Sequence, residues 1–127
     1  MLQNLRSSLL ALHKALVDSE RVEYEKAFGK IPSANHFLRL LTNDPWFAWL
    51  SPLSQLIVSI DETLETPEPM SRDSVQVLQK QASDLLTASE SGTGFSKHYD
   101  EALQRDPDVV MAQAKIAQLP GWRKRTG

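Results

Sequence analysis

Apolar positions in the first part of the chain recur every three or four residues. Stepping at about 100° per residue, Leu2, Leu5, Leu9, Leu12 and Leu16 fall on one stripe. The pattern predicts a helix from about Leu2 to about Phe28, closed by Gly29, the residue type that most easily takes the left-handed C-terminal cap. Glu20 projects from the middle of that stripe, with His13 on one shoulder and Glu23 on the other. Lys30, Ile31 and Pro32 then form a turn. Ser33 can cap a short second helix, SANHFLRLLT, whose apolar face is Phe37, Leu38, Leu40 and Leu41. Asn43-Asp44-Pro45 restarts the chain: Asp44 accepts unpaired backbone N–H groups, and Pro45 suits a first helical position where no N–H is needed. The third helix, PWFAWLSPLSQLIVSIDETLE, places Trp46, Trp49, Leu50, Leu53, Leu56, Ile57, Ile60 and Leu64 on one face. Pro52 cannot donate to the carbonyl of Ala48, so this helix should be kinked or split there.

After the TPEPM break, Ser71 is the expected N-cap of a fourth helix to about Ser89, with Val75, Leu78, Ala82, Leu85 and Leu86 as its seam. The SGTG stretch ends it. A fifth segment, FSKHYDEALQ, pauses at Asp106-Pro107, where a new first turn can begin, and VVMAQAKIAQL continues to Leu119. No stretch alternates with the period of a strand, and no repeat of solenoid length is present. The expected fold is all-α, a single-domain up-and-down bundle of about four to six helices over residues 1–119. Residues 120–127 form a short basic tail.

Composition narrows this picture. The 127 residues suit one domain, and a hydrophobic fraction of 41% with 24% charged residues is that of an ordinary globular chain. A net charge of -2 argues against a globally basic nucleic-acid binder. With no cysteine there is neither a disulfide framework nor a thiolate nucleophile, which suits a reducing compartment. His13 and Lys14 interrupt the N-terminal apolar run, and no small-residue cleavage site follows, so that run is read as the first helix rather than a secretory signal. No uninterrupted apolar stretch approaches the roughly 18 to 20 residues a membrane span needs. A cytoplasmic location without membrane contact is expected.

The stretches LHKALVDSERVEYE and NDPWFAWLSPLSQLIVSIDE resemble a family of small, all-helical bacterial proteins with no assigned function, over most of the chain. The resemblance implies a bacterial helical protein and carries no catalytic or binding residues.

Glu20 has two readings. A carboxylate on an apolar stripe costs several kcal/mol if left bare, so it must be paired, hydrogen-bonded or protonated, unless the stripe ends near Leu16 and Glu20 lies at a mouth or an oligomer seam that water reaches. Arg39 is the expected partner, because the turn after Gly29 should fold the second helix back on the first. Alternatively, Glu20 joins His13, Glu23 or Asp61, the last at the edge of the third helix's apolar face, in a small-ligand or mononuclear metal site. Carboxylate-bridged di-metal bundles need Glu three positions before His. No Glu stands there before any of the three His residues, which argues against a di-iron centre.

Phe47 points away from Trp46 and Trp49 on an ideal helix and shares a flank with Val58. A second apolar flank is what a contact with another subunit requires, and a two-fold homodimer is the favoured form. In the tail, Trp122, Arg123, Lys124 and Arg125 combine charge with a stacking ring, as contact with nucleic acid or an anionic surface requires. Three cations give a weak electrostatic term, and nucleic acid is not the expected partner. No phosphate loop, nucleophile elbow or zinc-helix motif is present. The sequence therefore reads as a non-catalytic binding or regulatory protein without cofactor, acting through a protein partner or self-association; the ligand or metal site around Glu20 is the alternative.

Overall fold

The computed structural model describes residues 2–66, 72–86 and 94–119. They form α1 (Leu2–Phe28), α2 (Ala34–Asn43), a 3₁₀ segment (Pro45–Leu50) that runs into α3 (Ser51–Glu65), α4 (Arg72–Leu85), α5 (Phe95–Arg105) and α6 (Pro107–Ala117). Among the described residues there is no strand. The expected all-α bundle is the observed fold.

The punctuation works as its chemistry requires. Gly29 has φ +92° and its N–H reaches back to Glu25 O, ending α1. The following turn is held by Glu25, whose carboxylate accepts from Ile31 N at 2.8 Å, and Ile31 is buried. Ser33 Oγ accepts from His36 N at 3.1 Å and caps α2. Asp44 and Asp106 do the same for the 3₁₀ segment and for α6, each followed by a proline at the first helical position. α6 stops at Ala117, slightly short of the expected Leu119, with Gln118 in a turn. The expected Ser71 cap and the end of the fourth helix beyond Leu86 lie outside the described residues, as does the basic tail with Trp122, Arg123, Lys124 and Arg125.

α1 is the central element and packs chiefly on α6 and α3. Its five-leucine stripe is buried from Leu2 to Leu16, and Leu9, Leu12 and Leu16 are fully covered. Each such side chain contributes roughly 1.5–3 kcal/mol by leaving water. Leu53, Ile60, Val109 and Ile116 belong to the same core, and Tyr99 from α5 is fully buried in it. α4 packs on α3, and its Leu78 and Ala82, with Leu86 just past its end, are buried. α2 packs on the 3₁₀ segment.

The expected split beside Pro52 is present, and it changes where Phe47 lies. The chain enters as a 3₁₀ helix, and Pro52 sits in the first turn of α3, where its missing N–H is harmless. A 3₁₀ helix turns about 120° per residue and stacks i on i+3. That lines Phe47 up with Leu50 and leads into Leu53, all buried. Phe47, expected on an outer flank, is 1% exposed, ringed by Tyr24 and Phe37. Trp46 and Trp49, expected on the core side, are only half-buried. Val58 is exposed, but it shares no free surface with Phe47.

Candidate functional site

Three places bring chemistry-bearing residues together. The first answers the question posed by Glu20, which is buried. Its Oε2 accepts from Trp46 Nε1 at 2.9 Å and its Oε1 from Arg105 Nη2 at 3.1 Å. Arg105, the last residue of α5, also donates from Nε and Nη2 to Ser19 Oγ at 3.1 and 3.0 Å. A cation at that helix end is favoured by the carbonyl dipoles. Glu23 lies at the edge: its Oε1 is 3.9 Å from Arg105 Nε, and its covered Oε2 is 3.0 Å from Lys26 Nζ, too poorly aligned to count as a hydrogen bond. The carboxylate thus ties α1, the 3₁₀ segment and α5 into one node. Arg39, the expected partner, instead stands exposed on α2. The turn does fold α2 back, but it places Phe37 toward α1, under the Arg21 guanidinium at 4.7 Å.

The four residues considered as a ligand or metal set are dispersed. His13 bonds to Ser54, Asp61 pairs with Arg6, Glu20 faces Arg105 and Trp46, and Glu23 faces Arg105 and Lys26. Among the described residues, no three of the His, Asp and Glu side chains converge as a metal cluster requires. A shared helix does not gather them, because α1 directs His13 to α3 and Glu20 to α5.

The second place is a cleft of ≈ 620 Å³ between α2, the 3₁₀ segment, the start of α3 and His13 of α1. Leu41, Pro45, Phe47, Ala48 and Leu50 make its apolar wall. His13 Nε2 lies 2.9 Å from Ser54 Oγ, and Ser54 Oγ donates to Leu50 O at 3.4 Å. Burial lowers the pKa of His13 below the ordinary 6.5, so the ring is neutral at pH 7. Asp44 is the one charged residue of the lining; its Oδ1 is engaged with Trp46 N. Sequence reading missed Ser54 as a partner, since it lies 41 positions from His13 and only the packing of α1 on α3 joins them.

The third place is α2 itself. It is strongly amphipathic, yet none of its residues is buried. Leu38 is 60% exposed, and Phe28, at the end of α1, is 66% exposed.

Comparison with protein-family models, with curated proteins and with solved structures finds no match. The resemblance to small helical bacterial proteins gains no support from it. What the fold and these sites define is a class: an all-helical bundle with one buried carboxylate node, one polar-floored cleft and one amphipathic helix that packs on the core through Phe37, Leu40 and Leu41 and leaves Leu38 exposed. No helix among the described residues is long and apolar enough to cross a membrane.

Proposed function

We propose that this is a non-catalytic binding protein of the cytoplasm that acts by self-association, with α2 rather than the Phe47 flank as the contact. The observation that carries this reading is α2: Phe37, Leu40 and Leu41 are only partly buried against the core, and Leu38, like Phe28 at the end of α1, stands exposed. A ten-residue helix in water is marginal by propensity alone and draws its stability from packing an apolar face. A second copy would complete that packing. Arg39 is the only formally charged residue of α2, so a two-fold pairing joins apolar faces with little like-charge repulsion. The absence of cysteine suits a reducing compartment.

Sedimentation equilibrium tests the reading directly. The chain should sediment at twice 14.3 kDa at high concentration, and Leu38→Glu should return it to the monomer with helicity unchanged. A wild-type monomer throughout the concentration range would sink the self-association reading.

A further inference from the structure

The pairing of α2 with a second copy, on which this inference rests, has several possible registers, and charge selects among them. Asn35, Leu38 and Thr42 lie within about 60° of one another around the helix, and all three are exposed. Arg39 stands at the border of this face, exposed, and its guanidinium has no partner among the described residues. The other end of α2 is negative. No basic residue stands in its last turn, so its carbonyl end keeps an uncompensated partial charge. Asp44 follows as the C-cap and is the one charged residue lining the neighbouring cleft. Its Oδ1 accepts from Trp46 N, and its other oxygen has no partner among the described residues. The lone cation of α2 and its negative end are thus separated along one exposed edge, and the cleft with its apolar wall of Leu41 and Pro45 opens at the negative end.

A parallel pair of α2 helices sets Arg39 beside the Arg39 of the other copy. An antiparallel pair centred on Leu38 does nearly the same, since the two Arg39 residues then stand about 3 Å apart along the axis. An antiparallel pair centred between Leu41 and Thr42 separates them by about 7.5 Å along the axis and brings each Arg39 level with Asp44 of the other copy. The same shift carries each Leu38 over the end of the other α2, where the apolar wall of the cleft begins. We infer that two copies of this chain associate in this last register. The α2 helices run antiparallel and cross near Thr42, each Leu38 is seated at the mouth of the other copy's cleft, and each Arg39 pairs with the other copy's Asp44. The contact is self-complementary, as a two-fold interface requires. It joins the one cation of α2 to its negative end twice.

The absence of cysteine makes the register readable by cross-linking. Asn35 and Thr42 are exposed and lie about two turns apart on nearly the same line of the helix. In the inferred register Thr42 faces its own copy within the Cα separation of about 4.4–6.8 Å that a disulfide spans, whereas Asn35 and its copy lie about 20 Å apart along the axis. Under mild oxidation of the full chain, Thr42→Cys should convert to a covalent dimer and Asn35→Cys should not, as read on a non-reducing gel. Sedimentation equilibrium tests the charges. Arg39→Gln and Asp44→Asn, which keeps the capping oxygen, should each raise the dimer dissociation constant about threefold, the scale of an exposed ion pair. The double variant should lose no more than either alone. A wild type that never dimerises removes both the association reading and this register. A wild type that dimerises while Thr42→Cys fails to link, or links no faster than Asn35→Cys, overturns the register and leaves self-association standing. Additive losses in the two charge variants overturn the contact between Arg39 and Asp44.

Discussion

Arg105 and Glu20 stand 85 positions apart in sequence and meet at 3.1 Å, with the same guanidinium anchored on Ser19 and the same carboxylate bonded by the Trp46 indole. One charged pair thereby fixes the junction of α5 and α6 against the middle of α1. Removing one member leaves the other covered and unpaired, which is the costly way to break such a pair. Arg105→Met should therefore destabilise the fold by about 3 kcal/mol, toward the low end for a buried pair because the Arg105 side chain keeps 28% exposure. The double variant Glu20→Met with Arg105→Met should recover most of that loss. Arg39→Met should change stability by less than about 0.5 kcal/mol. Urea unfolding of the four proteins measures all of this, and a large loss for Arg39 alone would contradict the assignment.

Trp46→Phe keeps a ring against Tyr24 and Phe28 but removes the donor to Glu20 Oε2. The expected cost is about 1–3 kcal/mol, that of leaving a covered acceptor unsatisfied. Thermal unfolding gives the value; no change would mean that water replaces the indole.

Phe47 is a core residue, so its substitution tests the fold rather than an interface. Phe47→Ala should cost about 3–5 kcal/mol, and Phe47→Glu should lose helicity as well as any oligomer. A folded, merely monomeric Phe47→Glu chain in circular dichroism and sedimentation would restore the flank that the structure buries.

His13 makes stability depend on pH. Its folded pKa lies below the ordinary 6.5 because burial disfavours the imidazolium. The unfolded chain therefore binds the proton more readily, so the contribution is complete above about pH 6.5 and fades as pH falls toward the folded value. The urea midpoint should drop between pH 7.5 and pH 5.5, and His13→Gln should reduce that slope. A slope unchanged by the substitution would place the pH dependence elsewhere.

Gly29 tests the end of α1. A Cβ there meets no neighbouring atom within 4 Å, so the cost of Gly29→Ala is conformational, from φ +92° alone, and should be about 1 kcal/mol. Chemical denaturation reads this directly.

The boundaries of the helices were legible in the sequence because they are local. Gly29, Ser33, Asp44 with Pro45, and Asp106 with Pro107 act on backbone groups within a few residues, and each does so at its expected place. The leucine stripe of α1 was legible for the same reason, since one helix repeats its face every few residues. The oddity of Glu20 was visible too, but not its partner. Arg105 is an ordinary basic residue at the end of a helix, and nothing near it in sequence points to α1.

Tertiary packing decided the rest. The 3₁₀ entry into α3 turned Phe47 inward, a difference of about 20° per residue that an ideal helical wheel cannot register. The packing of α1 on α3 paired His13 with Ser54, and the arrival of α5 gave Glu20 its cation and dispersed the set once considered as metal ligands. Helix caps and apolar periodicity are properties of neighbouring residues, so the sequence alone determined them. Which polar side chain meets which across the bundle depends on helix rotation and on contacts between segments tens of residues apart, and only the folded chain sets those.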